Sequence, residues 1–165
     1  MQDIEADEVD VVMVYKTDRL TRIPFDVADR ELKAARKVLS EWPEEAFTTL
    51  QLPAELGPVN ALLIEAEFEH VKGVMSGFSK LGVPAERLAQ TAARRMAGYL
   101  ASRAFAGPYF QDHLLLLFAM ADQGAFTKVK LSEHTRTAAD LIMRFTKREL
   151  RVSDGDEGSH LLELA

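Results

Sequence analysis

An α+β fold is predicted by three features of the sequence. Runs of strand length, either continuously apolar or alternating, recur between about Val11 and Val152. Longer segments between them place apolar residues at helical spacing. The 165 residues are 47% hydrophobic, enough to bury a core in one domain or in two small ones.

Taken in order, Met1 to Asp10 carries Asp3, Glu5, Asp7, Glu8 and Asp10 and reads as a solvated acidic tail. Without a loop-forming glycine these carboxylates make a poor metal site. Val11 to Tyr15 is continuously apolar, as a buried strand should be. After a connection from Lys16 to Pro24, Asp26 is placed to cap a helix from about Val27 to Leu39, with Val27, Leu32, Ala35, Val38 and Leu39 inward. Trp42-Pro43 breaks that helix, and Trp42 reads as a core or domain-edge residue. Ala46 to Leu52 alternates as a strand, and Pro53 to Asn60 is a loop. Ala61 to Phe68 is a strand with Leu62, Ile64, Ala66 and Phe68 on one face and Leu63, Glu65 and Glu67 on the other. Lys72 to Phe78 is its partner, weakened by Gly73 and Gly77, with His70 at the turn between them. Pro84 suits the first turn of the longest helix, running to Ala101. Leu88, Ala92, Met96 and Leu100 form its expected stripe, flanked by Ala93 and Tyr99.

The pattern changes after Gly107-Pro108. Leu114 to Met120 is apolar without a break, so the helix from about Pro108 to Asp122 is hydrophobic nearly all round and needs cover on every side. A strand from Phe126 to Leu131, a helix to about Thr146 and a strand from Arg148 to Val152 follow, too little to supply that cover. A missing front half, a second copy or a partner chain is therefore expected over helix 108–122. Ser153 to Gly158 is a polar loop, and Leu161-Leu162 beside His160 has no readable role.

Charge and composition narrow the function classes. There is no cysteine, hence no disulfide framework and no thiolate metal site. Twenty basic against 26 acidic residues leave a net charge of −6, so any nucleic-acid contact must be local. No apolar run is long enough to span a membrane and the acidic start is unlike a signal peptide, which predicts a soluble, cytoplasmic protein with no membrane partner.

The chemistry is expected around Ser132-Glu133-His134. Ser132 can cap the helix that follows the strand, placing His134 in a first turn where free backbone N–H groups favour a phosphate. The helix dipole disfavours imidazolium, so a histidine in that turn tends toward the neutral form that can act as a nucleophile. A lone histidine near a helix start is more often a plain surface residue, and spacing alone does not separate the two.

Three motifs in order do more. Gly57-Pro58-Val59-Asn60, Tyr109-Phe110-Gln111-Asp112-His113-Leu114 and Ser132-x-His134-x-x-Thr137 together resemble the C-terminal portion of the RNA 3'-terminal phosphate cyclases. The resemblance runs from about Ile23 to Val152, through Val27-Ala28-Asp29-Arg30-Glu31 and Tyr99-Leu100-Ala101-Ser102. It implies an acidic tail and leading strand over 1–22, a thioredoxin-like insert over 23–101, an α-β-α-β piece of the cyclase catalytic domain over 102–152, and a tail over 153–165. The family's N-terminal repeats have no counterpart, so the chain resembles a cyclase lacking its front half.

By the same resemblance His134 is the nucleophile that takes AMP from ATP, and Tyr109, Phe110, Gln111, Asp112 and His113 hold the nucleotide. Tyr109 could stack on adenine, and Asp112 could orient His134 or help place a divalent cation. The implied substrates are ATP, with Mg2+ or Mn2+, and an RNA 3'-phosphate end that becomes a 2',3'-cyclic phosphate. Arg87, Arg94, Arg95 and Arg103 form a basic strip, either a solvated helix face or a contact for the RNA backbone. Gln111-Asp112-His113 stands where the family has Ala-Asp-Gln, Thr137-Ala138 where it has Thr-Asn, and Val59 where it has glycine. An alternative of another class is a non-catalytic interaction module of the same fold, serving RNA processing or ribosome assembly and docking through helix 108–122.

Overall fold

In the computed structural model the chain divides near Gly98 into two compact units, and residues 8–15, 25–51, 60–78, 82–121, 124–128, 130, 132–155 and 159–164 are described. The acidic stretch up to residue 7, the connection 16–24 and the Gly57-Pro58-Val59 part of the first motif lie outside them. Among the described residues the architecture is α+β, with four α-helices and two small sheets.

In the first unit the strands are β1 (Glu8–Tyr15), β2 (Phe47–Gln51), β3 (Asn60–Glu67) and β4 (Lys72–Phe78), arranged β2-β1-β3-β4. Helix α1 (Phe25–Arg36) is the crossover that lets β1 and β2 run parallel. β3 pairs antiparallel with β1 and β4, and the turn into β4 closes where the Phe68 N–H donates to the Val71 carbonyl at 2.9 Å. The continuously apolar run Val11–Tyr15 is thus an interior strand. It starts three residues earlier than the sequence predicts, pairing Glu8 with Glu67 and Asp10 with Glu65. Glu8 to Asp10 is therefore strand and not tail, because Glu8-Val9-Asp10-Val11 keeps the period of two that a strand needs.

The faces of β3 separate as expected. Leu62, Ile64, Ala66 and Phe68 are buried, while Leu63 and Glu65 are half-buried and Glu67 is exposed. Helix α1 begins at Phe25, so Asp26 lies inside its first turn rather than capping it. Its buried line is Ala28, Glu31, Ala34 and Ala35, with Leu39 beyond the helix end. Helix α2 (Ala85–Ala101) buries Ala89, Ala92, Ala93, Met96 and Tyr99, while Leu88 and Leu100 are only partly covered. The stripe turns toward the alanines because Leu88 reaches over β4, where a Cβ at Gly77 would collide with its side chain. The glycine that weakens β4 as a strand lets the helix sit close to it.

One buried polar contact holds α1 to the head of β3. Both Glu31 carboxylate oxygens accept from the Asn60 amide, at 3.2 and 3.0 Å, and both residues are buried. Burial pushes the Glu31 carboxyl up. The Asn60 hydrogen bond opposes that shift, the Glu86 charge adds to it and the Arg30 charge opposes it.

The second unit opens on Ala106, which forms a parallel bridge to Lys128, and its N–H donates to the Thr127 carbonyl at 2.9 Å. It continues as α3 (Phe110–Ala121), β5 (Gly124–Lys128), α4 (Glu133–Thr146), β6 (Leu150–Asp154) and β7 (His160–Leu164). The sheet order is β5-β7-β6, antiparallel throughout. The closing segment His160–Leu164, which has no readable role in the sequence, is thus the middle strand of this sheet. Its Leu162 and Leu164 are buried, and Leu162 pairs with Phe126 on one side and Val152 on the other.

Ala106, Leu114, Leu115, Phe126, Ala139 and Leu162 form the core, with Phe105, Phe118, Ala138, Ile142 and Leu150 against it. Phe118 of α3 lies over Gly124, where a Cβ would collide with its ring, and tilts against Phe126 at 5.4 Å between centroids. β5 begins two residues before the expected Phe126 because Gly124 is what lets the Phe118 ring approach the strand. Only one side of α3 is covered within this unit, for Leu116, Leu117 and Met120 remain exposed. Among the described residues no helix is long and apolar enough to cross a membrane.

A buried carboxyl with a raised pKa makes stability depend on pH in a definite direction. The folded state holds the Glu31 proton more tightly than the unfolded chain. Stability contributed here is full below about pH 4.5 and falls as pH rises toward the folded value. Glu31→Gln should abolish that slope and raise the urea midpoint at pH 8 relative to wild type. Its amide can also donate to the Asn60 Oδ1, which is buried without a partner. Fluorescence of Trp42, the lone tryptophan, reports on this unit.

Candidate active site

The strand-cap-helix arrangement expected around His134 is present. Ser132 is the N-cap of α4, with extended backbone, and its Oγ accepts from the Thr135 N–H at 3.0 Å. The Ser132 and Thr135 hydroxyls lie 2.8 Å apart, and the Thr135 hydroxyl donates to Asp112 Oδ1 at 2.5 Å. A continuous chain of hydrogen bonds thus joins the cap of α4 to the first turn of α3. Thr135 is fully buried, so this chain is sheltered from water.

His134 is the second residue of α4 and is exposed, with no hydrogen-bond partner among the described residues. Its position follows from its neighbour. Successive helical residues are about 100° apart, so with Thr135 and Ala139 turned inward the residue before Thr135 lies at the rim. Asp112 does not reach the imidazole by any hydrogen bond in the described structure, but fixes the next residue along. Its action on His134 is through the backbone of the helix turn.

The five residues expected to hold a nucleotide divide into two groups. Gln111 is fully buried, its Nε2 donating to the Pro108 carbonyl at 3.0 Å while its Oε1 has no partner. Asp112 is half-buried in the chain just described. Tyr109 is 60% exposed and Phe110 39%, and His113 is exposed on the next turn. Phe110 leans on Phe105 at 6.1 Å between centroids, leaving Tyr109 as the freer aromatic surface. Among the described residues no three His, Asp or Glu side chains converge as a metal site.

Thr135 and Lys128 are parts of this region that the sequence pattern does not single out. Thr137, which belongs to the motif, only donates to the Glu133 carbonyl of its own helix at 3.0 Å. The buried line Thr135-x-x-x-Ala139 is legible as helical spacing, but a threonine in it reads as a tolerated polar residue. Lys128 is fully buried at the end of β5. Burial and then the Arg136 charge lower its pKa to about 8.

Comparison with known proteins agrees with the three motifs. The family model described as the RNA 3'-terminal phosphate cyclase insert domain matches residues 19–101, half of the chain. The RNA 3'-terminal phosphate cyclase of Koribacter versatilis (strain Ellin345) is 38% identical over 135 residues, 82% of this chain and 38% of that protein. That of Pseudomonas aeruginosa (strain UCBPP-PA14) is 35% identical over 141 residues, 86% of this chain and 41% of the relative. The Ralstonia nicotianae protein of the same name is 39% identical over 119 residues, 72% and 33% respectively. The chain thus spans about two fifths of the length of the curated relatives it matches.

The hydrogen-bond chain can be tested apart from any activity. Thr135→Val keeps the shape and removes the hydroxyl, leaving Asp112 without that donor, at a cost of about 1–3 kcal/mol. Ser132→Ala removes the cap for about 1 kcal/mol. The double substitution should cost less than the sum, because both act on one network. Hydrogen exchange of the α4 amides measures all three, and strict additivity would contradict a shared chain.

Proposed function

The chain belongs to the RNA 3'-terminal phosphate cyclase family, and from that premise we propose that it carries the histidine-dependent part of an ATP-dependent cyclisation of RNA 3' ends. The observation that supports this best is His134, an accessible imidazole in the capped first turn of α4, with its turn locked by Thr135 and Asp112. An uncharged ring nitrogen there attacks the α-phosphate of ATP. The bond from that phosphorus to the bridging oxygen breaks, and pyrophosphate leaves with the electron pair. The AMP then passes to an RNA 3'-phosphate. The adjacent ribose 2'-hydroxyl attacks that phosphorus, AMP departs and the 2',3'-cyclic phosphate closes.

Residues of this chain bind and orient in that scheme. The free N–H groups of the α4 first turn face the incoming phosphate and stabilise its developing charge. Tyr109 offers a ring for the adenine, and His113 a further polar contact. The buried, unpartnered Gln111 Oε1 marks the α3 start as a place where a donor is still wanted. Mg2+ or Mn2+, when bound with ATP, would neutralise triphosphate charge. Asp112 and Thr135 are positioning residues, holding the turn on which His134 rides.

A second function has its own support. Leu116, Leu117 and Met120 leave one side of α3 apolar and exposed, as an interaction module of the same fold would need. In the catalytic proposal the remaining three fifths of a family member, a second copy or a partner chain covers this face. The two uses part at His134.

Mass spectrometry after incubation with ATP and Mg2+, alone and with the complementary portion of a family member, tests the choice. An AMP adduct on the wild type that is lost in His134→Ala is expected, and stronger with the complement than without. An adduct that persists in His134→Ala, or none under either condition, would remove the catalytic role and leave the module.

A further inference from the structure

We infer that the exposed ridge of α2 is a contact surface for the phosphate backbone of single-stranded RNA, formed by Arg87, Arg94 and Arg95 around Gly98. The naming of RNA as the polyanion rests on the function proposed above; the surface itself rests on three observations.

The first is placement. Ala89, Ala92, Ala93 and Met96 are buried along one side of α2, which fixes the direction of the other. Arg87, Thr91, Arg94 and Gly98 follow one another along that outer side, with Arg95 on its flank, and all five are exposed. Arg87 and Arg94 are separated by two turns, about 10 Å along the axis, so the cations form a line rather than a point.

The second is that these charges are unspent. None of the three guanidinium groups has an ion-pair or hydrogen-bond partner among the described residues. Several other cations of the same unit are matched, Arg30 to Glu86 at 2.9 Å, Arg36 to Glu44 at 2.8 Å, and Lys72 to Glu67 at 2.8 Å, while Lys37 stands alone and belongs to no line of cations. Glu86, the acidic residue of the α2 first turn, is thus already paired with α1. In a chain of net charge −6, an unneutralised line of arginines is a local feature, not the overflow of a basic composition.

The third is Gly98. Glycine inside a helix is destabilising relative to alanine, so its presence usually answers a steric demand. At Gly77 and Gly124 that demand is visible, since a Cβ would strike Leu88 or Phe118. At Gly98 a Cβ would meet nothing within 4 Å. The fold has no use for a missing side chain there, whereas a backbone lying between Arg94 and the end of the helix does. Guanidinium forks match phosphate oxygens in pairs. A polymer that repeats phosphates suits a line of such forks better than isolated carboxylates do.

Fluorescence anisotropy of a fluorescein-labelled oligouridine, without ATP and over a range of salt, tests this. Replacing Arg87, Arg94 and Arg95 together by alanine should weaken binding at least about tenfold. It should flatten the slope of log affinity against log salt by about 2, since each phosphate no longer neutralised removes roughly 0.7. The triple lysine variant should keep the slope. Gly98→Leu should weaken binding while leaving the charge, and hence the slope, in place. Circular dichroism and Trp42 fluorescence verify that each variant is folded. Unchanged affinity and slope in the alanine variant would overturn the proposal. So would polyglutamate competing as well as unlabelled oligouridine for the same arginines, which would identify an acidic protein as the partner. Arg151→Ala, which removes one exposed cation from β6, should bind the oligonucleotide as wild type does. Failure of adenylylation with RNA binding intact sinks the catalytic role alone, and the converse sinks this surface alone.

Discussion

The hydrogen bond from Thr135 to Asp112 is the contact on which the geometry of the second unit's candidate site depends. Two helices that start near each other each leave several backbone N–H groups without partners inside the helix. Ser132 satisfies one of those on α4 and is itself tied to Thr135, which is tied to α3. The first turns of both helices are therefore joined by one run of oxygens, fully buried at Thr135 and half-buried at Ser132 and Asp112. Removing any member leaves a polar group without its partner in a sheltered place, which costs more than the bond contributes when intact. The exposed histidine makes no side-chain contact of its own among the described residues, and the turn that carries it is held by these bonds.

Much of the fold is legible in the sequence, and what is not has definite causes. The strands Phe47–Gln51, Asn60–Glu67 and Lys72–Phe78 and the long helix to Ala101 have strong periodicity and clear breakers, and they lie within a residue or two of expectation. The last strand escapes because His160-Leu161-Leu162-Glu163-Leu164 alternates only partly, and its partners are 32 to 40 residues earlier in β5 and 6 to 14 earlier in β6. Pairing over such separations leaves no local mark. Helical spacing places the α2 stripe on Leu88, Ala92, Met96 and Leu100, of which Ala92 and Met96 are buried and the two leucines only partly covered. The structure prefers alanines there because Gly77 admits Leu88 at the edge of the contact and lets the helix come close. The capping role of Ser132 is readable, whereas that of Thr135 needs the position of Asp112, 23 residues away.

Buried polar atoms tell a parallel story in each unit. Asn60 directs its amide to Glu31 and Gln111 its amide to the Pro108 carbonyl, and each leaves its side-chain oxygen without a partner among the described residues. Each residue belongs to a motif that resembles the family, and each begins a strand or sits in the first turn of a helix. A buried carbonyl oxygen is unfavourable unless some group, protein or water, donates to it.

The apolar surface of the second unit follows from composition more than from shape. Single exposed leucines are ordinary on soluble proteins. Leu116, Leu117 and Met120 are different, since spacings of three and four put them on one side of α3. Leu141 and Phe145, four residues apart on α4, are likewise exposed. The core beneath these helices is already complete, with Leu115 and Leu162 fully buried, so the outward residues add nothing to it. An apolar outer side of this kind is surface that a second contact would bury. The inner side of α3 is thus constrained by folding, whereas its outer side is not constrained by the core of this unit.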